Sequence, residues 1–540
     1  MNRPLNRRTF IGSIGSWAAA TNLACLDSSC AEPQHATHKS APYATGNTVG
    51  VTSTSWEATE AACTALRKGG NAADAYLAAA LTQTVVEPGL TSIGGALGVI
   101  YFNSATGETE GVTGSLGPAA AEPYDFNRND HVTQTGRAMP VPGFLAGVHA
   151  AHAKFGVLPW AELFEPAIHY AHTGFAVPEF IVAAARNRAA RFAEGQSMWR
   201  KDGRFLETGA RLIQEKLGHV LQSVAEDGPA AFYQGPFAEN YVKRSQEDGG
   251  RLALSDMARW REMVSAFTAK PEGDYRGFQV WAPRAGLLTY ALHLNEALNL
   301  KSFGPARSDP ESVFRQYRIM EEVFLATKTY TEETHGQFVS REYAKQRADF
   351  VLNSPIRDVR LDALFNTCFL VIRDAKGNCA WGTHSINTPT AFGAGIIVDG
   401  VYAAYALNKA HVYGTGATAP GISTSYALYR AGGPRIICGS PGFGFVHGPY
   451  QFGTGVVEWG VPPARAIYDP RFSIPLQDGT VFFERDYDES VFSMLEKRGI
   501  RHVRGRASES TGLVGALLVA DDGTLHLAQD PRRDGFAKAQ

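Results

Sequence analysis

Three polar residues, Thr367, Ser385 and Asn387, are spaced along the chain in a way that could support nucleophilic catalysis. A threonine hydroxyl is a weak nucleophile until a base lies beside it, and one known arrangement uses the α-amine of a threonine that begins a chain. The ordinary pKa of such an amine is about 7.7–8.0, so much of it is neutral at working pH. Thr367 is internal, so this chemistry requires the Asn366–Thr367 bond to break first, through attack of Thr367 on the preceding carbonyl.

A predicted β-hairpin is the element that must position these residues. Residues 369–372 are an apolar, strand-forming run, and residues 374–378, Asp-Ala-Lys-Gly-Asn, favour a turn. If the turn takes five residues, counting outward pairs Thr367 with Ser385, with Cβ atoms roughly 4.5–5.5 Å apart, and leaves Asn387 within diagonal reach. A turn one residue longer or shorter would separate the three side chains. From these residues alone, a buried threonine on an ordinary hairpin is the favoured interpretation.

Hydrophobic periodicity predicts several elements around the hairpin. Strands are predicted at 50–55, 97–102 and 434–438, and helices at 71–85 and 144–155. Glycines follow the strand at 434–438, and glycines at a strand end expose backbone N–H groups of the kind that an oxyanion hole requires. The end of that strand is therefore a candidate source of backbone donors.

The order of short motifs along the chain overturns the interpretation of Thr367 as an ordinary residue. In the second half, Thr367 is followed by the Asp-x-x-Gly-Asn turn, by Ser385 and by Ile386-Asn387, and later by 439–442, Gly-Ser-Pro-Gly. Before Thr367, further short motifs follow one another at 69–75, 85–88, 92–95, 141–143, 158–160, 228–233 and 275–277. This arrangement resembles the γ-glutamyltranspeptidases, N-terminal-nucleophile hydrolases that cleave themselves before a catalytic threonine.

The resemblance implies an α+β fold, the four-layer αββα sandwich of these hydrolases. The sandwich would be built from two cleavage products, a large-subunit part of residues 47–366 and a small-subunit part of residues 367–540, which stay together as a heterodimer. The implied reaction is cleavage of a γ-glutamyl-like or other acyl amide, a small molecule or peptide, through an acyl-enzyme that passes the acyl group to water or an amine. No metal or organic cofactor is needed for this chemistry.

The resemblance also assigns roles to individual residues. Thr367 would be the nucleophile, and its freed α-amine would be the base. Ser385 would orient the hydroxyl, Asn387 would contact the substrate, and the backbone at Gly442 would stabilise the oxyanion. Further residues that the resemblance places at the substrate are Ser423, Thr424 and Phe443.

Four departures from the family pattern concern the binding of a glutamyl group. The arginine that clamps the α-carboxylate would fall at Gly114-Ser-Leu-Gly, and the acid that holds the α-amine would fall within 402–409, where no acid exists. One of the family's paired serines is Ile422, beside Ser423, and the second glycine of Gly-Ser-Pro-Gly-Gly is Phe443. Loss of a bidentate arginine at a carboxylate is not a conservative change. The acyl group is therefore left open.

Three functions are compatible with this pattern. The first is an exported, self-processing threonine amidase whose acyl group need not be glutamyl. The second is a γ-glutamyl hydrolase whose carboxylate clamp has moved, for example to Arg137 or Arg284. The third is a catalytically inactive, uncleaved binding protein that keeps only the fold. Cys368 is an alternative nucleophile, but it lies one position off the hydroxyl face, so Thr367 is favoured.

The beginning of the chain predicts export. Residues 6–11, Asn-Arg-Arg-Thr-Phe-Ile, precede a short, mildly apolar run and resemble a twin-arginine signal. We expect a signal peptide of residues 1–31 and a mobile segment at 32–46, with the mature protein periplasmic or secreted. Lipidation at Cys25 is the alternative, and Asn22 disfavours it because a lipobox normally has an aliphatic residue there.

Composition and charge exclude other classes of protein. The chain has 540 residues, of which 44% are hydrophobic and 19% charged, as in a large globular protein. Lys and Arg number 51 and Asp and Glu 53, so there is no electrostatic case for nucleic acid, and no run is long enough for an integral membrane segment. The cysteines beyond the leader form no Cys-x-x-Cys motif, and the hairpin register places Cys368 and Cys379 on opposite faces, which disfavours a disulfide between them.

Overall fold

The computed structural model describes most of the chain from residue 39 onward. The described ranges are 39–125, 135–188, 193–282, 286–331, 333–357, 359, 367–386, 392–393, 395–404, 425–441, 446–473, 475, 478–508 and 511–540. The predicted signal peptide lies outside them. Within these ranges, no helix combines the length and the apolar character needed to cross a bilayer.

The first of two large sheets contains the hairpin and has seven antiparallel strands. Numbered along the chain and given in spatial order, they are β22 (Phe536–Ala539), β2 (Gly50–Ser53), β12 (Cys368–Arg373), β13 (Cys379–Ser385), β3 (Ala96–Phe102), β4 (Thr109–Gly114) and β9 (Val264–Thr268). The hairpin strands β12 and β13 lie between β2 and β3, which belong to the predicted large-subunit part. Both predicted halves of the chain therefore share one sheet.

The second large sheet also has seven antiparallel strands. In spatial order they are β1 (Tyr43–Gly46), β21 (Leu525–Gln529), β20 (Gly515–Val519), β17 (Gly433–Gly439), β16 (Ser425–Arg430), β11 (Phe278–Trp281) and β10 (Gly273–Tyr275). An apolar core lies between the sheets, with Phe369 and Trp381 from the first and Tyr429, Ile437 and Leu517 from the second. Smaller two-stranded sheets pair β5 (Phe175–Ala176) with β8 (Arg211–Leu212), β6 (Arg200–Lys201) with β7 (Arg204–Phe205), β14 (Ile397–Val398) with β15 (Val401–Tyr402), and β18 (Val481–Glu484) with β19 (His502–Gly505).

Helices cover the outer face of each large sheet. Those packed on the first sheet are α1 (Trp56–Arg67), α2 (Ala72–Val86) and α3 (Phe144–Phe155), and those packed on the second are α11 (Gly286–Ala297) and α15 (His447–Trp459). The other helices are α4 (Glu165–Thr173), α5 (Glu179–Arg188), α6 (Ala193–Met198), α7 (Glu215–Asp227), α8 (Ala230–Gln234), α9 (Pro236–Glu247), α10 (Leu254–Ala258), α12 (Pro310–Ala326), α13 (His335–Phe338), α14 (Arg341–Asn353), α16 (Pro463–Ala466) and α17 (Glu489–Lys497). The order helix, sheet, sheet, helix confirms the predicted α+β fold, a four-layer αββα sandwich.

Helix α2 lies directly beneath the hairpin, and it is buried on every face because small alanines dominate it. A capping box opens the helix: Asn71 Oδ1 accepts from the Asp74 N–H at 3.1 Å, and Asp74 Oδ2 accepts from the Asn71 N–H at 2.9 Å. Asp374, in the hairpin turn, accepts the N–H of Ala72 at 3.1 Å. The hairpin turn is therefore fastened to the start of the helix.

Two parts of the fold differ from what the sequence predicts. The segment 32–46 is predicted to be mobile, but Tyr43–Gly46 forms β1 at the edge of the second sheet, so the prediction is wrong there. A four-residue edge strand carries too little apolar pattern to be recognised. The buried helix α15 is also missing from the predictions, because three glycines weaken its helical pattern.

Candidate active site

The hairpin has the register that its turn predicts. β12 and β13 pair with Cys368 opposite His384, and the same register continued outward places Thr367 opposite Ser385. The turn, Asp374–Asn378, has five residues, closed by a hydrogen bond of 3.0 Å from the first N–H to the last carbonyl. The prediction of the register is confirmed. It follows that the two hydroxyl residues lie at the same end of adjacent strands.

Thr367 is buried, with 4% of its surface exposed, and its hydroxyl is held by the neighbouring strand. Thr367 Oγ1 donates to the carbonyl oxygen of His384 at 3.0 Å and lies 3.4 Å from the carbonyl oxygen of Cys368. Ser385 follows His384 and is buried as well. The structure thus brings Thr367 and Ser385 together. The third predicted residue, Asn387, lies outside the described residues, as does Asn366 on the other side of the predicted cleavage bond.

Glycine at the start of β3 allows the end of β13 to pack closely. A Cβ placed on Gly95 would lie 2.1 Å from the carbonyl oxygen of Ser385, so no other residue fits there without a shift of backbone. The carbonyl oxygen of Gly95 accepts the N–H groups of Gly143 and Phe144, both at 2.9 Å, at the start of α3. The Gly-Gly motif therefore fixes the end of β13 against β3 and α3.

The thiol of Cys368 is unsuited to act as the nucleophile. Cys368 is fully buried, and its Sγ donates to Glu87 Oε2 at 3.3 Å. Burial, together with the neighbouring Glu87 carboxylate, raises the pKa of the Cys368 thiol well above its ordinary value, so the reactive thiolate is strongly disfavoured. The side chain also belongs to the core beneath the first sheet, whereas Cys379 belongs to the core between the sheets, which confirms that they face opposite ways. Both cysteines are free.

The end of β17 lies over the start of β12. A Cβ on Gly439, the last residue of β17, would lie 2.4 Å from the ring of Phe369, two residues after Thr367. The chain then continues to Pro441, whose carbonyl oxygen accepts from Arg533 Nη1 at 2.9 Å. The predicted oxyanion residue Gly442 and its neighbour Phe443 lie outside the described residues. Arg533 is buried, and no motif in the sequence analysis identifies it.

The first residue of the segment expected for the carboxylate clamp, Gly114, has no room for a side chain. Gly114 ends β4, and a Cβ there would lie 2.0 Å from the carbonyl oxygen of Gly143 and 2.6 Å from the backbone nitrogen of Gly147. The end of β4 packs directly against the first turn of α3. A glycine at this position is therefore required by the close approach of two backbones, and an arginine there would separate them.

The other candidate substrate contacts are engaged elsewhere or lie outside the described residues. Arg137 Nε and Nη2 both donate to Glu122 Oε1, at 3.1 and 2.6 Å, and the Glu122 carboxylate is fully buried. This pairing argues against Arg137 as a relocated clamp. The phenol of Tyr402 accepts from Trp199 Nε1 at 2.7 Å within the core. Among the candidate substrate contacts and the residue beside them, Arg284, Ile422, Ser423 and Thr424 lie outside the described ranges.

The segment that leads to the predicted cleavage bond is anchored by buried ion pairs on α12. Arg357 donates from its backbone N–H to Glu321 Oε1 at 2.7 Å and from Nη1 to Glu322 Oε2 at 2.6 Å. Arg318 donates from Nη2 to the carbonyl oxygen of Ser354 at 2.8 Å, and the Arg318 and Glu321 side chains are fully buried. The sequence does not reveal this cluster, because Arg357 lies outside the helix that carries its partners Glu321 and Glu322. It fixes the chain at Arg357, nine residues before Asn366 in the sequence.

In the part of the chain that the structure describes, no group of three or more His, Cys, Asp or Glu residues is arranged to hold a metal ion. Among the described residues at this end of the sandwich, the Thr367 hydroxyl and the Ser385 side chain are placed beside each other. Such a pair suits nucleophilic attack on a carbonyl.

Known proteins are similar to this chain in sequence and in fold. The family model of Gamma-glutamyltranspeptidase matches residues 58–540. The chain is 25% identical over 525 residues to the glutathione hydrolase proenzyme of Escherichia coli (strain K12), covering 88% of this chain and 89% of that protein. It is 27% identical over 365 residues to the acylase ACY 1 proenzyme of Pseudomonas sp. (strain SE83), covering 62% and 64%. The crystal structure of cephalosporin acylase from Bacillus halodurans superposes with a TM-score of 0.73 at 22% identity, covering 96% of this chain and 99% of that one.

Proposed function

This chain belongs to the γ-glutamyltranspeptidase family, and from that membership we propose that it is a self-processing amidohydrolase whose nucleophile is Thr367. The observation that carries the proposal is the hydrogen bond of 3.0 Å from Thr367 Oγ1 to the carbonyl oxygen of His384, which holds the hydroxyl beside Ser385. The buried, hydrogen-bonded thiol of Cys368 leaves the threonine as the better nucleophile of the two.

The first step is self-cleavage at the Asn366–Thr367 bond. Thr367 Oγ attacks the carbonyl carbon of Asn366, the hydroxyl proton passes to the departing nitrogen, and the peptide bond becomes an ester. Water then hydrolyses the ester and frees a carboxylate on Asn366 and an α-amine on Thr367. Two observations support this step: the anchor at Arg357 holds the preceding segment, and β12 is paired on both sides, so the nucleophile keeps its place after the cut. Both relatives named above are proenzymes.

The second step is acyl transfer at the freed threonine. The α-amine of Thr367 takes the proton from Oγ, and Oγ attacks the carbonyl carbon of the substrate amide. The amine of the substrate leaves with that proton, and water or another amine then attacks the resulting ester. Ser385 orients the hydroxyl, Asn387 contacts the substrate, and the backbone at Gly442 stabilises the oxyanion. An oxyanion donor of this kind is worth about 2.7–4 kcal/mol of barrier, so its placement matters greatly.

The acyl group is proposed to lack the charged α-amino-acid end of a glutamyl group. The tight packing at Gly114 and the engaged guanidinium of Arg137 remove two sources of a carboxylate clamp. A carboxylate buried without a cationic partner is disfavoured by several kcal/mol. The Pseudomonas relative is named an acylase, which is compatible with an acyl group other than glutamyl, whereas the similarity to the E. coli glutathione hydrolase favours the second candidate, a γ-glutamyl hydrolase with a clamp at Arg284.

The two cleavage products are proposed to remain together as a heterodimer. β12 and β13 lie between β2 and β3 of the other product, and β1 and β22 place the two ends of the described chain in the two sheets. Separation would expose the apolar faces of both sheets, which is strongly unfavourable. We therefore expect cleavage to create a new chain terminus while the two products stay folded and associated.

Export through a twin-arginine route is also proposed, from residues 6–11 and 1–31 alone. Replacement of Arg7 and Arg8 by lysine should retain the full-length precursor in the cytoplasm, while the unchanged chain is recovered outside it and begins after Ala31. A lipid-modified Cys25 in the mature protein, detected by mass, would instead show that the protein is anchored through Cys25 and is not cleaved after Ala31.

Intact mass of the purified wild-type protein and of Thr367→Ala tests the proposed function. We expect two chains that meet at Asn366–Thr367 in the wild type and one unbroken chain in the variant. The cleaved protein should then hydrolyse at least one member of a panel of acyl anilides that includes γ-glutamyl, succinyl, glutaryl and aliphatic acyl groups. One unbroken chain in both proteins would favour the inactive, uncleaved binding protein, because Thr367 would lack its amine base.

A further inference from the structure

A buried hydrogen-bond network lies beneath the hairpin, and nothing in the reaction described above uses it. We call it the hairpin cluster; its members come from β13, β12, α2 and the segments around them. They are Thr54, Gln83, Glu87, Thr91, Cys368 and His384, each with no more than 3% of its surface exposed. Polar groups buried this completely are costly unless each finds a partner, so the network demands a defined arrangement.

The direction of each hydrogen bond in the hairpin cluster can be assigned. Gln83 Nε2 donates to Glu87 Oε1 at 2.8 Å and to Thr54 Oγ1 at 2.9 Å, so the Gln83 carbonyl oxygen must face the His384 ring. His384 Nε2 therefore carries the proton and donates to that oxygen at 2.9 Å. His384 Nδ1 is then the acceptor for the Thr91 hydroxyl at 2.8 Å. Every donor points along the network toward the carboxylate of Glu87.

The hairpin cluster reaches the nucleophile from both strands. On β13, the ring of His384 is held by Gln83, and the carbonyl of the same residue accepts the hydroxyl of Thr367 at 3.0 Å. On β12, the residue after Thr367 is Cys368, whose Sγ donates to Glu87 at 3.3 Å. Gln83 and Glu87 are four residues apart, so they lie on one face at the C-terminal end of α2. The last turn of α2 thus forms hydrogen bonds to both His384 and Cys368, the residues that flank the Thr367 hydroxyl.

His384 is poorly placed to act as the base. Cys368 and His384 are cross-strand partners whose side chains both reach α2, while Thr367 and Ser385 are each one position away. Both ring nitrogens are occupied, and the residue touches the nucleophile only through its backbone carbonyl. Its effect on Thr367 is therefore geometric.

We propose that His384, held by Gln83 and Glu87, is a positioning residue that sets the orientation of the Thr367 hydroxyl for both self-cleavage and acyl transfer. This inference rests on the proposed function of Thr367. A displacement of a reacting group by about 1 Å can lower a rate by about 100-fold, so loss of the side-chain network should reduce catalysis even when the fold survives.

Variants of the full-length chain test the proposal. His384→Phe removes both ring hydrogen bonds, and Gln83→Met removes the link between His384 and Glu87 with little change of volume. His384→Gln keeps a donor that can reach Gln83. Thr82→Val is the matched control, because Thr82 is buried one position away on α2 and its hydroxyl donates only to the carbonyl oxygen of Ala78. Each variant is assayed at a temperature well below its own unfolding midpoint.

The expected result has three parts. The His384→Phe and Gln83→Met precursors should cleave themselves at least about tenfold more slowly than the wild type. Once processed, both should show a lowered kcat with KM unchanged. His384→Gln should recover most of the loss, and Thr82→Val should match the wild type. A change in packing alone would not restore activity on return of a single donor, so the rescue separates positioning from general stability.

Folded His384→Phe and Gln83→Met proteins that cleave and turn over at wild-type rates would overturn the proposal. If both fail to fold, Thr91→Val, which removes only the hydroxyl at His384 Nδ1, gives the same comparison: a reduced kcat at constant KM supports positioning, and an unchanged kcat contradicts it. A wild-type chain that stays uncut and inactive would instead overturn the proposed function, because Thr367 would then not be a nucleophile that His384 could position. The two failures are therefore distinguishable.

Discussion

Two buried polar clusters lie at the end of the sandwich where Thr367 is found, one beside each sheet, and they are built differently. The hairpin cluster surrounds the Glu87 carboxylate with three neutral donors, from Thr54, Gln83 and Cys368. The second, which we call the arginine cluster, pairs Arg471 and Arg532 with Glu484 and Asp530. All four of its side chains have no more than 3% of their surface exposed. Both clusters are completely buried, but only one is made of ion pairs.

The difference follows from what each cluster holds. Arg471 and Arg532 donate to the carbonyl oxygens of Gly512, Ile467 and Asp469, so the arginine cluster ties several loops to one another. Guanidinium groups suit this task because each offers five donors in a rigid fork. The hairpin cluster instead sets two neighbouring strand residues beside a nucleophile. Its neutral donors form hydrogen bonds to the single Glu87 carboxylate and add no further charge beside the nucleophile.

The largest effect is expected in the arginine cluster. Arg471→Met removes one partner of a buried ion pair and leaves Asp530 without it, so the free energy of unfolding should fall by about 3–5 kcal/mol. Urea unfolding monitored by tryptophan fluorescence measures this loss. Lys243→Met is the control, since Lys243 and Glu247 form an exposed pair that should contribute almost nothing. A loss of less than 1 kcal/mol in Arg471→Met would show that the ion pairs are not what holds these loops.

How much of the fold and of the candidate site could be predicted depended on how far apart in the sequence the contacting residues lie. The register of the hairpin was predictable because turn length and strand period fix it locally, and the strand at 97–102 and the helix at 71–85 were predictable from their apolar patterns. The hairpin cluster was not, because Gln83 and His384 are 301 residues apart and each looks unremarkable in its own segment. The substrate residues Ser423 and Phe443 stay predictions, since they lie outside the described residues.

Acid should destabilise the two clusters over different pH ranges. Burial lowers the pKa of His384 to about 3, from an ordinary value near 6.5, so the unfolded chain binds a proton that the folded chain excludes. Stability is then complete above pH 6.5 and falls as the pH drops toward 3, with a slope of up to about 1.4 kcal/mol per pH unit. His293, whose pKa burial lowers to about 4, adds to the loss.

Asp530 loses its contribution in the same direction, on acidification, but at lower pH. Arg471 and Arg532 outweigh its burial and hold its pKa below the ordinary value, so its contribution is lost only at lower pH, as the carboxylate is protonated. Urea unfolding at pH 7.5, 6, 5 and 4 tests the comparison. His384→Gln should flatten the slope between pH 6.5 and 4 relative to the wild type. An unchanged slope in that variant would mean that His384 is not the group that excludes the proton.

A third cluster, on α12, is expected to have an intermediate effect, because its ion pairs hold Arg357, nine residues before Asn366 in the sequence. Arg357→Ala removes the side-chain bonds to Glu321 and Glu322 and keeps only the backbone N–H bond to Glu321, so we expect self-cleavage to slow by about tenfold while the kcat of the processed enzyme stays unchanged. The measurement is a time course of precursor mass. Arg347→Ala is the matched control, since Arg347 pairs with the same Glu322 but comes from α14. Equal rates in the two variants would show that the anchor does not serve the cleavage.

The smallest effect is expected at the edge of the hairpin cluster, in Cys368→Ala. The variant removes one of the donors to Glu87 and leaves those of Thr54 and Gln83 in place, so the carboxylate keeps two partners and β12 should shift little. We expect kcat for an acyl anilide to fall by only a few-fold, since a typical hydrogen bond contributes about 1 kcal/mol. Iodoacetamide should likewise leave the wild-type activity intact, because the thiol is buried and its pKa is raised. Complete loss of turnover in a folded, cleaved Cys368→Ala protein would indicate that the thiol, and not the Thr367 hydroxyl, is the nucleophile. The hairpin cluster would then take part in the chemistry directly, and its contrast with the arginine cluster, which only ties loops together, would no longer be one of positioning.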